Sequence, residues 1–221
     1  MSLIRKYLSY LNVYTERTYD SAYNGVLEIN WVNGKKVLDT TNTNYSYGNL
    51  GKVLKKALQH TSSDFISEDA NILLLGMGGG DVIKQLQQQF KSKAHITALE
   101  IDPVIIQIAM TEFGILPGNK LEIIQDDARM YLKYLKKSFD LIIVDLFNDT
   151  EIPEFVFHNE FLQSIFNALN NQGTAIFNTI ILTDEHHIRN DKFVTKLNTI
   201  FTVQSFQKLY GHNHLLICQK A

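Results

Sequence analysis

From Asn71 onward the chain alternates two patterns: short runs in which nearly every residue is apolar, and longer stretches in which apolar residues recur every three or four positions. The short runs are Ile72 to Leu75, His95 to Glu100, Leu121 to Gln125, Leu141 to Asp145 and Thr174 to Thr179, and they predict strands covered on both faces. The stretches between them predict helices over Val82 to Phe90, Pro103 to Phe113, Ala128 to Lys136, Glu154 to Asn170 and Asp184 to Ile200. Pro103 stands where the first N–H of a helix needs no partner, and "NNQG", ending at Gly173, closes another helix with a residue free to adopt positive φ. This alternation predicts an α/β domain built on a mostly parallel sheet. Two last runs, Thr202 to Gln207 and His214 to Gln219, flank "KLYGHN" and predict a hairpin, so the sheet ends in an antiparallel strand.

The first 48 residues carry a different pattern, aromatic and β-rich, with an Asn33-Gly34 turn between Val26 to Val32 and Lys36 to Asp39. They predict a small β appendage over 1–48. A helix over Asn49 to His60 then leads into the main domain, 49–221, with no flexible linker between the parts.

Composition narrows the field. A chain of 221 residues, 45% of them hydrophobic, buries a core in one domain with an extension, and its formal charge of -2 provides no global basic field for nucleic acid. The single cysteine, Cys218, cannot close an intramolecular disulfide, and no window is apolar enough for a membrane helix; a cytoplasmic protein is expected. His212 and His214 on one strand face, and His186-His187 on a helix, lack the spacing of a metal site, and none is expected. Trp31 and Tyr7, Tyr10, Tyr14, Tyr19 and Tyr23 have few basic residues among them, which fits the appendage or a dimer contact better than a platform for bases.

The chemistry begins at "NILLLGMGGGDVIK", Asn71 to Lys84. Glycines at the end of a first parallel strand let the backbone turn sharply into a helix and let a ligand approach the main chain. Glu100, at the end of the second strand, can accept both hydroxyl hydrogens of a ribose; Asp102, just before Pro103, suits a helix cap. A dinucleotide fingerprint needs a third glycine where Asp81 stands, so an NAD-linked oxidoreductase is the weakest reading. The spacing of Gly76, Gly78 and Gly80 resembles instead the S-adenosylmethionine-dependent methyltransferase fold.

The ordered set "ILLLGMGGGDVIKQL", "ALEIDPVIIQIA", "IIQDDARMYL" and "FDLIIVDLFND" resembles the spermidine synthase family of aminopropyltransferases, with its Rossmann-like methyltransferase fold, a seven-stranded sheet and an N-terminal β domain. The resemblance implies S-adenosylmethionine, its decarboxylated form or methylthioadenosine as cofactor, polyamine biosynthesis, and a possible homodimer. It places Gly76, Gly78, Gly79, Gly80, Glu100 with Ile101, Asp127 with Ala128, and Asp145 around the cofactor. Asp127 would accept from the adenine amine, with helix capping the alternative for one of Asp126 and Asp127; Asp145 is the candidate base.

Three acid-bearing features of that family are altered. Asn148 stands where a second acid follows Asp145, unless Asp149 substitutes. Tyr47 is kept, but Gly48 and Asn49 replace longer polar side chains. Gly79 replaces the aspartate that grips the cofactor's amine, and Asp81 could serve only if the loop slid by two residues. The expected function is therefore transfer of a methyl or aminopropyl group to an unidentified acceptor, which Leu146 and Phe147 would make less cationic, although Phe147 suits a core position equally. The alternative is a non-catalytic nucleotide-binding protein that kept the fold.

Overall fold

The computed structural model describes residues 6–40, 49–61, 66–148, 151–209 and 211–220. A three-stranded antiparallel sheet comes first, with β1 (Tyr14–Ser21), β2 (Gly25–Val32) and β3 (Lys35–Thr40) in sequential order. Helix α1 (Asn49–His60) leads to β4 (Asn71–Leu75), α2 (Asp81–Lys84), β5 (His95–Glu100), α3 (Pro103–Phe113), β6 (Leu121–Gln125), α4 (Ala128–Tyr134) and β7 (Phe139–Val144). Then follow α5 (Asn159–Ala168), β8 (Leu169–Ile180), α6 (Asp184–Leu197), β9 (Thr202–Leu209) and β10 (Asn213–Gln219). The second sheet has seven strands in the order β6-β5-β4-β7-β8-β10-β9. Its first five strands are parallel, while β10 pairs antiparallel with both β8 and β9.

Strict alternation divides each central strand between two cores. Ile72 and Leu74 face the layer of α1, α2 and α3, while Leu73 and Leu75 face α4, α5 and α6. Both sets are fully buried, which explains why the strands read as unbroken apolar runs. The strand order reverses direction between β4 and β7, so their C-terminal ends open into the crevice where doubly wound sheets hold ligands. The small sheet packs on the outer side of α3, where Leu27, Ile29 and Leu38 meet Ile105 and Ile108.

Several local expectations change. The first strand of the appendage, β1, carries no clean apolar alternation and is legible only through its pairing with β2. The helix expected over Val82 to Phe90 is α-helical only over α2 and continues as a wider π turn, Gln85–Gln89. The long helix expected from Glu154 splits at His158, whose extended backbone (ψ 143°) separates a 3-10 turn, Glu154–Phe157, from α5. Edge-on contacts of Phe155 with Phe161 and of Phe157 with Phe193 seat that turn. Strand β8 then takes up "NNQG": Gln172, not Gly173, adopts positive φ, and Gly173 is demanded by closeness instead, since a Cβ there would lie 2.9 Å from the Asn170 carbonyl.

Candidate cofactor and acceptor site

The glycine turn follows β4, and its three alternate glycines take positive φ: 86° at Gly76, 49° at Gly78 and 86° at Gly80. Each is required for a different reason. A Cβ on Gly76 would overlap the Asp145 carbonyl, so this glycine lets the ends of β4 and β7 close on one another. One on Gly80 would overlap the side chain of Ile115. At Gly78 it would meet nothing within 4 Å, so space lies open there, as a ligand approaching the main chain needs. Gly79 is not among the positive-φ glycines and brings no side chain to the turn.

Glu100 ends β5 as a buried carboxylate beneath this turn. It accepts from the Gly78 N–H at 3.3 Å and from the Asp102 N–H at 3.1 Å, tying the glycine turn to the neighbouring strand end. Burial pushes its pKa up to about 6, against the pull of those N–H groups. Such an acceptor, beside open space at a switch point, suits paired hydroxyls that bring their own hydrogens. Ile101 beside it is 38% exposed, an apolar surface at the mouth of the crevice, and Ala128 is buried at the start of α4.

Asp102 caps α3 through the Val104 N–H at 2.8 Å, as its place before Pro103 implies. Its other oxygen accepts from Ser21 and from Asn24 in the β1–β2 turn, which joins the appendage to the strand end carrying Glu100. Of the next acid pair, the cap is Asp127 and not its neighbour. Asp127 accepts from the Arg129 N–H at 2.7 Å and from the Arg129 guanidinium at 2.7 Å, which holds its pKa below the usual carboxylate value. The residue expected to read adenine thus already has a cationic partner, while Asp126 accepts from the Asp127 N–H.

Asp145 directly follows β7, and its N–H donates to the Leu75 carbonyl at 2.9 Å. The Asn178 amide on β8 donates to its Oδ1 at 3.0 Å, while the Asn178 Oδ1 is buried and has no partner among the described residues. Burial pushes the Asp145 pKa up to about 6; Asn178 opposes the rise and the charge of Asp81 adds to it. Asp81, the first residue of α2, thus lies near enough for its charge to act on Asp145. Burial raises its own pKa, which Lys84 and Lys35 oppose. Asn178 went unrecognised in the sequence, although an amide inside the apolar run "TAIFNTII" is a visible signal.

Asn148, the replaced second acid, is exposed and exchanges backbone hydrogen bonds with Glu151 at 2.8 and 3.0 Å. Leu146 and Phe147 pack against the core of the α4–α6 layer, so Phe147 is a core residue in part. Tyr47, Gly48 and Asp149 lie outside the described residues. His212 falls outside β10 and is exposed whereas His214 is buried, so they do not share a strand face; among the described residues no three His, Cys, Asp or Glu side chains come together to hold a metal. Cys218 is buried and its thiol is pushed well above the ordinary range. Among the described residues, no helix is long and apolar enough to cross a membrane.

Known proteins resemble this chain in sequence and in fold. A polyamine aminopropyltransferase of Vibrio vulnificus is 36% identical over 118 residues, covering 52% of this chain and 39% of that protein. The eEF1A lysine and N-terminal methyltransferase of Danio rerio is 27% identical over 124 residues, covering 51% of this chain and 18% of the relative. These matches span well under half of either relative. The crystal structure of human methyltransferase-like protein 13 in complex with SAH superposes with a TM-score of 0.69 at 21% identity, covering 79% of this chain and 83% of that one, and shares the Rossmann-like methyltransferase fold. The model of the spermine/spermidine synthase domain matches residues 51–213, most of the chain and every strand end that forms the crevice. The chain belongs to the spermine/spermidine synthase family.

Proposed function

We propose that this protein transfers an alkyl group, aminopropyl or methyl, from an adenosyl-sulfur cofactor to the nitrogen of an amine. The observation that carries the reading is Asp145: a carboxylate with its pKa pushed up to about 6, oriented by Asn178, and set against the glycine turn by the Gly76 contact. A base with this pKa is ionised at neutral pH yet basic enough to accept a proton from an arriving ammonium. The names of two relatives support a nitrogen acceptor, one a polyamine and the other a lysine or an N-terminus.

Glu100 would hold the ribose hydroxyls, and Gly78 would leave room for the cofactor against the main chain. When bound, the cofactor supplies a sulfonium carbon open to in-line displacement. Asp145 attracts the protonated amine, takes its proton and leaves the nitrogen lone pair free to attack; the buried Asn178 carbonyl oxygen offers a second acceptor for the amine's remaining hydrogens. The Leu146 and Phe147 side chains exclude water on one side of this acid.

A second reading, an adenosyl-binding protein without turnover, is favoured by the uncharged Asn148 and the bare Gly79. Thermal unfolding with methylthioadenosine, S-adenosylmethionine, its decarboxylated form and NAD tests the reading. Adenosyl-sulfur ligands should raise the midpoint by several degrees, and NAD should not. An Asp145→Asn variant should keep that shift while losing at least 100-fold, on the order expected for a positioned base, in turnover with a primary amine such as putrescine. Absence of any shift defeats the proposal; a shift with no turnover on any amine selects the second reading.

A further inference from the structure

We propose that the β1–β2 turn of the appendage sets the ribose acid: Ser21 and Asn24 are positioning residues that act through Asp102 on Glu100. This rests on the reading of Glu100 as the holder of the ribose hydroxyls, and it makes the appendage part of that site.

The relay can be followed bond by bond. Ser21, the last residue of β1, accepts from the Tyr23 N–H at 3.0 Å and from the Asn24 N–H at 3.1 Å. A hydroxyl has two lone pairs and one hydrogen, so with both lone pairs engaged the hydrogen is directed at the Asp102 Oδ2, which it meets. The Asn24 amide donates to the same oxygen at 2.6 Å, and the Val104 N–H holds the Asp102 Oδ1 at 2.8 Å. Asp102 is fully buried, and these neutral donors fix both of its oxygens. Stripped of the two donors from the turn, a buried carboxylate shifts to recover others and takes its main chain with it.

That main chain reaches the ribose acid. The Asp102 N–H donates to the Glu100 Oε1 at 3.1 Å, and the Gly78 N–H donates to its Oε2 at 3.3 Å. Glu100 is thus aimed by one donor at each oxygen: the first belongs to the glycine turn, and the second to a residue whose side chain the appendage holds. The sugar fixes the spacing of two neighbouring hydroxyls, so both are accepted only by a carboxylate held at one orientation.

The appendage has a second anchor, near the other end of α3. There Arg17 and Lys36 pair with Glu112 at 2.7 and 2.8 Å, and the Tyr19 hydroxyl donates to it at 2.8 Å. Both anchors dock the appendage, but only the one at Asp102 bonds the residue that orients Glu100. The two can therefore be told apart.

Isothermal titration with methylthioadenosine and with its 2′,3′-dideoxy analogue, which lacks both hydroxyls, makes the test. Wild type should bind methylthioadenosine at least about a hundredfold more tightly than the analogue, as two hydrogen bonds to a charged group imply. A Ser21→Ala/Asn24→Ala double variant should reduce that ratio to about tenfold or less, through weaker methylthioadenosine binding alone. Ser21→Thr, which keeps the hydroxyl, and Glu112→Gln, which loosens only the far anchor, should both keep the wild-type ratio. An unchanged ratio in the double variant, or an equal fall in Glu112→Gln, overturns the assignment while the reading of Glu100 stands. A wild type that binds both ligands equally, or neither, defeats the reading of Glu100 and this proposal with it. Analogue affinity within about twofold of wild type establishes that the double variant is folded; if it binds neither ligand, Asn24→Ala alone decides by the same ratio, a fall supporting the assignment and no change overturning it.

Discussion

Asn178 and Thr179 are consecutive on β8 and serve opposite faces of the sheet, and the polar clusters they join differ in closure. On one side, Thr179 donates to the His214 carbonyl at 2.8 Å, the Asn190 amide donates to Thr179 and to the His214 Nδ1 at 3.1 Å each, and the His214 Nε2 meets Ser205 at 2.8 Å. The Asn190 oxygen in turn accepts from Arg189 at 3.2 Å. Thr179, Asn190 and His214 are all fully buried. On the other side, Asn178 bonds Asp145 and leaves a buried carbonyl oxygen with nothing to accept from among the described residues. A closed network stabilises the sheet and needs no ligand, whereas an open one holds acceptors that only an incoming donor satisfies. That difference separates a buried histidine whose ring nitrogens are both partnered from a half-buried aspartate whose cluster keeps an acceptor open.

Breaking the closed cluster should have the largest effect. Asn190→Leu strands the buried His214 Nδ1 and the Arg189 donor, and should lower unfolding free energy by about 3 kcal/mol in urea titrations at pH 7.5. Acidification comes next. The depressed folded-state pKa of His214, about 4 against an ordinary 6.5, arises from burial. Its contribution is therefore complete above pH 6.5 and drains away as pH falls towards 4, so moving from pH 7.5 to 5 should cost about 2 kcal/mol that a His214→Gln variant does not lose.

The open cluster should respond with the opposite sign. Asp145 and Glu100 have folded pKa values raised to about 6, so their contribution is present at low pH and is lost as pH rises through that value. An Asp145→Asn variant should be about 1 kcal/mol more stable than wild type at pH 8, and that advantage should shrink as pH falls through 6 and vanish only below the ordinary carboxylate value of 3.8. The smallest change belongs to Asn178→Leu, which removes an unpartnered oxygen together with the one amide donor to Asp145, opposing effects that should leave stability within about 1 kcal/mol of wild type. A loss near that of Asn190→Leu would show the two clusters to be equivalent and would remove the structural argument for a ligand at Asn178.

Much of the architecture was legible because strands buried on both faces must be apolar throughout, and the glycine spacing with Glu100 downstream reports a backbone turn and a strand end, both local properties. Capping was half legible: "DD" before a helix announces a cap, but which acid takes it depends on Arg129, whose guanidinium holds Asp127. The break at His158 was hidden because the aromatic residues before it keep a helical rhythm while packing on partners from other elements.

The sequence by itself determined the α/β order, the glycine turn, the acid Glu100 at the next strand end and the family resemblance, since each is written in local period, spacing or residue type. Only the tertiary structure decided that the charge of Asp81 acts on Asp145, that Asn178 rather than Thr179 turns towards the site, and that the appendage is joined to the strand end carrying Glu100 through Asp102. These residues lie far apart in the chain, and their chemistry depends on burial and on mutual charge, which exist only once the strand ends are brought together.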